Sequence, residues 1–198
     1  MPSKLNYIFI TDTKRADIFG TCNALPKGSF VILRDYDLKA REREELGLKL
    51  KKICKRRGLK FLVAKDFELA VKLNADGIHL PEFAAKNIPL IRLKKPRWII
   101  TASAHNSKSI FDSLKKGACY VLLSPIFKTE SHPEINATTP IKARNMAKNM
   151  VNRVYGLGGI SQNNVKTLQT LEFAGVAGIS GIKNCVLPAT VSAAKGTK

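Results

Sequence analysis

Eight short apolar segments, separated by segments with helical periodicity, are the feature that most constrains the fold of this chain. Most are continuous apolar runs rather than alternating patterns, which is typical of strands buried on both faces of a parallel sheet. Eight strands that alternate with helices favour a single (β/α)8 TIM barrel over an open sheet, and 198 residues suffice for one such domain over 1–198. The predicted strands are 7–11, 30–34, 60–64, 77–80, 97–102, 119–123, 153–157 and 176–180.

In a barrel of this kind the functional side chains lie at the carboxyl ends of the strands and in the loops that follow. Applied to the eight predicted strands, this rule locates a candidate site from the residues alone. We therefore expect the strand-end residues to surround one pocket. They are Asp12, Arg34, Lys65, His79, Ser103, the segment 124–132, Gly158, Gly159, Ser180 and Gly181.

The last two predicted strands both end in glycine. The segment 154–182 reads VYGLGGISQNNVKTLQTLEFAGVAGISGI, so each glycine-rich end leads into a helical segment. Backbone N–H groups in glycine turns and at the starts of helices favour an anion. The sequence therefore predicts a phosphate-binding site built from Gly158, Gly159, Ser180 and Gly181.

The charge of the chain is strongly positive, with a formal net charge of +19 at pH 7. Such a surface attracts nucleic acid, acidic membranes or phosphorylated metabolites. The basic residues are spread along the predicted helices, which favours a solvated basic surface with a phosphate-binding mouth and leaves nucleic-acid binding as an alternative. Four widely spaced cysteines without a CxxC motif indicate a reducing compartment. With no leader-like or membrane-spanning segment, we expect a cytoplasmic protein with no membrane contact.

Four segments, in order, resemble motifs of thiamine-phosphate synthases. AKDFELAVKLNADGIHLPE is similar to ND-x-x-x-LA…ADG-x-H-LGQ, and SAH at 103–105 is similar to S-x-H. YVLLSPIFKTES resembles Y-x-x-x-GPIFPT-x-T, and GLGGIS…GVAGISGI resembles GGI…GVA-x-x-S-x-I. The matches run over nearly the whole chain, which is identified as similar to the thiamine-phosphate synthase and TenI family. That resemblance also implies a single (β/α)8 barrel.

The resemblance implies a phosphorylated metabolite as the partner, namely thiazole phosphate or thiamine phosphate. In the synthases, thiazole phosphate attacks an aminopyrimidine methyl pyrophosphate, and pyrophosphate leaves with the help of Mg²⁺. Carried over residue by residue, Thr129 and Ser131 correspond to the T-x-T pair, while Gly158, Gly159 and Ser180 correspond to the phosphate cradle. The family also self-associates in many members, so a homo-oligomer stays open.

The half of the site that would hold pyrophosphate and Mg²⁺ departs from the family pattern. The Q-x-R-E-K motif of strand two reads ILRDY and keeps only Arg34. Lys65 stands where the family has a metal-binding aspartate, the second metal-binding aspartate aligns with Ala84, and the lysine after T-x-T aligns with His132. Mg²⁺ requires oxygen ligands. The family therefore leads us to expect Mg²⁺, whereas these residues predict no metal ligands and no bound cofactor.

Two interpretations of the altered half remain open. In the first, Arg34, Lys65 and His132 are catalytic residues that neutralise the leaving pyrophosphate without a metal, since an ammonium acts as a point charge. In the second, the pyrophosphate reaction is lost and the barrel keeps a phosphate ligand, as a non-catalytic binding protein or sensor. Changes at several strand ends favour the second interpretation.

Three further polar residues are candidates for contact with the ligand. His79, at the end of a strand, is more typical of a hydrogen-bonded barrel residue than of an acid or base. Ser103 and His105 lie together after the fifth predicted strand, where His105 either contacts the ligand or caps the next helix. In the tautomerase members a histidine acts from the neighbouring loop, and here that place reads Ser124-Pro125.

Overall fold

Parallel pairing between all consecutive strands, and between the first and the last, closes the sheet into a barrel. The computed structural model of the protein describes residues 6–128 and 137–186. The predicted (β/α)8 barrel is therefore confirmed. The strands are β1 (Asn6–Ile10), β2 (Phe30–Leu33), β3 (Lys60–Ala64), β4 (Gly77–Leu80), β5 (Ile99–Ala104), β6 (Tyr120–Leu123), β7 (Val154–Leu157) and β8 (Gly175–Gly178).

Helices follow the strands and cover the outside of the barrel. None of the helices within the described ranges is both long enough and apolar enough to span a bilayer. Two 3-10 helices, Glu82–Asn87 and Lys148–Arg153, add to the α-helices. The α-helices are α1 (Ile18–Ala24), α2 (Ala40–Arg57), α3 (Phe67–Lys72), α4 (Ile88–Lys94), α5 (Ser107–Lys115), α6 (Pro140–Ala147), α7 (Val165–Thr170) and α8 (Ile182–Val186).

The alternation of side chains along each strand creates two apolar cores. Ile8 of β1 and Ile32 of β2 belong to the smaller core inside the barrel, whereas Phe9 and Val31 belong to the larger core between the barrel and the helices. All four are fully buried. Continuous apolar runs are therefore needed in these strands, because one face fills the barrel and the other supports the helices.

The structure shifts some predicted boundaries. β5 starts two residues later than predicted, since the N–H of Trp98 donates to Lys95 O at 3.1 Å and so belongs to the preceding turn. β5 also ends two residues later than predicted, at Ala104, so Ser103 lies within the strand rather than in the loop after it. Helix α1 was not predicted, because its apolar pattern is weak; Asp17 begins it by accepting from the N–H of Gly20 at 3.0 Å.

A buried arginine of α2 holds two strand ends in place. The Arg43 guanidinium donates to the backbone oxygens of Ala64 at 2.8 Å, Arg34 at 3.1 Å and Leu33 at 3.3 Å. It also lies 3.4 Å from a carboxylate oxygen of Asp66, which caps α3. One side chain thus fixes the ends of β2 and β3 relative to α2.

Candidate functional site

A glycine turn after β7 lies directly against the loop that follows β6. Gly158 and Gly159 have φ values of 96° and 64°, in the left-handed region that favours glycine. A Cβ at Gly159 would collide with the backbone oxygen of Lys128 and lie 2.8 Å from Cβ of Phe127. The N–H of Ile126 donates to Leu157 O at 2.9 Å. Close backbone approach between the two loops is therefore what requires glycine here.

The turn is fixed from its other side by an asparagine. Asn164 donates through Nδ2 to Gly159 O at 2.9 Å and accepts from the N–H of Ser161 at 2.8 Å. The turn after β8 approaches as closely, because a Cβ at Gly181 would lie 2.5 Å from Ile160 O. The predicted phosphate-binding glycines of the two loops thus come together in one rigid arrangement.

A cavity of about 310 Å³ opens between these two turns. Within the described residues, the N–H groups of Gly159, Ser180 and Gly181 donate to no protein acceptor. Among the residues that the structure describes, Lys128 is the charged residue of the lining, and none of them brings a carboxylate. Unpaired donors beside a cation provide an environment for an anion. The lining consists of Lys128, Leu157, Gly158, Gly159, Ile160, Ala177, Gly178, Ile179, Ser180 and Gly181.

Three of the predicted site residues, Thr129, Ser131 and His132, lie outside the described residues. Their roles stay predictions. The described chain stops at Lys128 in this loop and resumes at position 137.

Arg34 lies at the barrel mouth in an ion pair with Asp12, with 2.5 Å between Nη2 and Oδ2. The N–H of Arg34 donates to the hydroxyl of Thr11 at 3.0 Å, and that hydroxyl donates to buried Asp35. Asp35 also accepts from the N–H of Thr13 at 2.7 Å. The only arginine retained from the family motif therefore already has a carboxylate partner.

Lys65 directs its side chain to two aromatic rings. Its φ of 69° is unusual for a residue other than glycine, and its N–H donates to His79 O at 2.8 Å. Its ammonium lies 6.0 Å from the ring centre of Tyr36 and 5.8 Å from that of Phe83. Lys65 does not line the cavity at the ends of β7 and β8.

His79 is 8% exposed and forms two hydrogen bonds inside the barrel. Nδ1 lies 2.9 Å from the hydroxyl of Thr101, and Nε2 lies 3.1 Å from the hydroxyl of Ser103. Burial disfavours the imidazolium and lowers the pKa of His79 to about 4. Since it is neutral at physiological pH, His79 has the structural features of a barrel residue rather than of a proton donor.

His105 connects two loops at the barrel mouth. Its Nδ1 donates to Ser124 O at 2.7 Å, because a carbonyl only accepts, and Nε2 lies 3.7 Å from a carboxylate oxygen of Glu82. The cap of α5 is Asn106, which accepts from the N–H of Ser109 at 2.9 Å. The capping alternative for His105 is therefore wrong, while its contact with a ligand stays a prediction.

The residues do not fit the Mg²⁺ that the family uses. The resemblance aligns Lys65 and Ala84 with the family's two metal positions, and neither supplies an oxygen ligand through its side chain. The nearby carboxylates of Asp12 and Asp35 have partners within the protein. Across 6–128 and 137–186, no three His, Cys, Asp or Glu side chains lie together as a metal site requires.

The sequence interpretation included Lys128 in the segment 124–132 without singling it out, and it did not predict the ion pair between Asp12 and Arg34. Lys128 stands in the YVLLSPIFKTES motif where the family motif has proline, and this departure was the signal that could have identified it. Asp12 and Arg34 both follow neighbouring strands. Their contact could have been expected from the parallel order β1–β2.

Comparison with known proteins shows the family of the chain. The family model described as thiamine monophosphate synthase matches residues 7–182. A provisionally named thiamine-phosphate synthase 2 of Aquifex aeolicus is 35% identical over 145 residues, which are 72% of this chain and 76% of the relative. Thiamine-phosphate synthase of Geobacillus thermodenitrificans is 30% identical over 162 residues, or 81% and 73%. In fold, the chain is similar to thiamine phosphate pyrophosphorylase of Pyrococcus furiosus, with a TM-score of 0.74, 22% identity and 92% of each chain covered.

Proposed function

Because the chain belongs to the thiamine monophosphate synthase family, we propose that it binds a phosphorylated thiazole or thiamine phosphate in the cavity between β7 and β8. The observation that carries this proposal is the group of N–H donors beside Lys128 that have no acceptor, and no carboxylate nearby, among the described residues of the cavity. The phosphate accepts from the backbone of Gly159, Ser180 and Gly181, and Lys128 supplies a positive charge. From the family motif we further propose that the hydroxyls of Thr129 and Ser131, which follow Lys128 in the sequence, donate to the same phosphate.

We further propose that binding, rather than Mg²⁺-dependent transfer, is the role of this barrel in thiamine metabolism. The partners of Arg34 and Lys65 support this view, because the arginine is paired with Asp12 and the lysine is directed to aromatic rings. A transferase needs cations directed at the leaving pyrophosphate. In the alternative, metal-free transfer, both side chains would have to exchange these contacts for the pyrophosphate.

Calorimetric titration with thiamine phosphate tests the binding proposal. Replacing Lys128 by alanine removes a charge-assisted hydrogen bond worth about 1.5 kcal/mol, so Kd should rise roughly tenfold. Lys49→Ala removes the same charge from an exposed position of α2 that does not line the cavity, and it should leave Kd within about twofold because solvent and salt screen exposed charges. Equal effects of the two substitutions would reject a direct role for Lys128, and no heat with wild type would reject the proposal itself.

A coupled assay with aminopyrimidine methyl pyrophosphate and thiazole phosphate separates the two roles. We expect no turnover with or without Mg²⁺. Turnover that Mg²⁺ stimulates would contradict our view of the metal positions. If turnover occurs without metal, Lys65→Ala should abolish it, and an unchanged rate in that variant would exclude Lys65 from catalysis.

A further inference from the structure

An exposed apolar surface lies on the outside of the barrel, on α4 and the 3-10 helix before it. Phe83 is 71% exposed, Leu90 55% and Leu93 80%. Leu90 and Leu93 are three residues apart on α4, so they share one face of the helix. Phe83 lines the same groove as Leu90. We call these three residues the apolar ridge.

The groove beside the apolar ridge has a volume of about 390 Å³. The buried side chains of Ile78, Leu80 and Ile91 are part of its lining. It shares no residue with the cavity between β7 and β8. Lys65 and Ala84, which align with the family's two metal positions, also line the groove, so it is separate from the phosphate cavity but not from the altered half of the site.

Two lysines stand at the groove, each above an aromatic ring of its lining. The ammonium of Lys65 is 5.8 Å from the ring centre of Phe83, and that of Lys94 is 5.7 Å from that of Phe67. Neither lysine forms an ion pair within the described part of the chain, and no carboxylate lines the groove. Lys86, four residues before Leu90, is exposed as well. The surface thus combines an apolar floor with positive charges that have no acidic partner.

We propose that the groove and the apolar ridge bind an acidic amphipathic helix of a partner protein. An apolar side chain of that helix enters the groove, while its carboxylates face Lys65 and Lys94. Laying the apolar face of a helix into a groove is a general mode of protein recognition. The combination of a concave floor and unpaired lysines is what selects an acidic partner.

Other occupants fit these features less well. A second copy of this chain would bring its own lysines, from a protein of net charge +19, against Lys65, Lys86 and Lys94. A small amphiphile in the groove would leave Leu93 uncovered, since Leu93 does not line it. A lipid surface would cover the ridge but offers no protruding side chain for the concave floor. The proposal does not depend on the phosphate cavity, so either can fail alone.

Fluorescence anisotropy with labelled peptides tests the proposal. The probe is a set of helical peptides of about 18 residues, five turns, with leucine, phenylalanine or tryptophan along one face and glutamate elsewhere. We expect at least one to bind with a micromolar Kd, whereas a shuffled peptide of the same composition binds at least about tenfold more weakly because its apolar face is lost. Equal affinity for the shuffled peptide, or no binding up to millimolar concentration, would overturn the proposal.

Matched substitutions test whether the peptide binds at the groove and the apolar ridge. Phe83→Ser and Leu90→Ser should each weaken binding about tenfold or more, as expected for central anchors. Phe111→Ser is the control, because Phe111 is 51% exposed and also has a lysine, Lys115, 5.9 Å from its ring centre. We expect it to change Kd by less than about twofold. Similar losses in all three variants would refute a specific site.

Competition identifies the class of partner. Vesicles of phosphatidylglycerol and single-stranded RNA are each added to the bound peptide, and their own binding is measured with wild type and with Phe83→Ser. We expect Phe83→Ser to leave their binding unchanged at the concentrations that displace the peptide. If Phe83→Ser weakens the binding of the vesicles or of the RNA, that ligand, and not a protein helix, occupies the groove. Dissociation of an oligomer of this chain by Leu93→Ser, seen by light scattering, would instead assign the ridge to a second copy.

Discussion

Replacing Gly159 by alanine should destabilise the protein through two separate effects. A left-handed φ costs an alanine roughly 1–2 kcal/mol relative to glycine. The added Cβ would also collide with the backbone oxygen of Lys128 and lie 2.8 Å from Cβ of Phe127, so the β6 loop must move. Forcing an extra methyl group into packed structure costs about 1–3 kcal/mol. We therefore predict that Gly159→Ala lowers the free energy of unfolding by about 3 kcal/mol.

Two other glycines separate these effects. Gly28 has a φ of 89° with nothing within 4 Å of a new Cβ, so Gly28→Ala isolates the backbone cost. At Gly181 a Cβ would lie 2.5 Å from Ile160 O, without the left-handed φ, so Gly181→Ala isolates the collision. We expect each to lose about 1–2 kcal/mol, with the loss at Gly159 near their sum.

Urea unfolding followed by circular dichroism measures all three variants, with unchanged m values as the condition for comparison. If Gly159→Ala is no less stable than Gly28→Ala, the two loops are not in the close contact described here. Gly159→Ala should also weaken thiamine phosphate binding, because the displaced loop carries Lys128.

Two further predictions concern buried polar groups. The folded pKa of His79 is about 4, below the unfolded value of about 6.5, so its contribution to stability is complete above pH 6.5 and is lost as pH falls to 4. That loss approaches roughly 3 kcal/mol. Between pH 6.5 and 4 the unfolding free energy of His79→Gln should therefore fall by this much less than that of wild type. Equal pH dependence in the two proteins would contradict the lowered pKa of His79. Arg43→Met removes the hydrogen bonds that the guanidinium donates to three backbone oxygens and should cost about 3 kcal/mol in urea unfolding. The exposed control Arg41→Met, which loses only the pair with Glu45, should cost less than about 1 kcal/mol, and equal losses would refute the role of Arg43.

The fold was predictable because its signal is spread over the whole chain. Most strands are compact apolar runs, and β3 and β4 begin and end at the predicted residues, close to Gly58 and Pro81. The missed elements have a physical explanation. Helix α4 is short and exposes Leu90 and Leu93, so its pattern does not mark one buried face.

The site was less predictable because it depends on the directions of side chains, which the local sequence does not determine. The left-handed backbone of Lys65 turns the residue toward two aromatic rings, Tyr36 and Phe83, from distant segments of the chain, and a lysine gives no signal of such a φ. The motif placed Lys65 at the metal position but could not show where its ammonium lies. By contrast, the close backbone approach at Gly158, Gly159 and Gly181 was predictable, because a glycine indicates a position without room for a Cβ.

The contact between Gly159 and the loop of Lys128 also bears on how such a barrel changes over generations and in the laboratory. Loops at the mouth of a (β/α)8 barrel are commonly regarded as modules that are exchanged one at a time. Here the loop after β6 and the turn after β7 share hydrogen bonds from Ile126 to Leu157 and from Phe127 to Gly158, and they pack backbone to backbone. The two loops therefore form one structural unit, in which a change in one requires a matching change in the other. A graft or recombination that moves only the loop after β6 or only the turn after β7 should disrupt their packing at the barrel mouth. Transplanting the two together should preserve that packing.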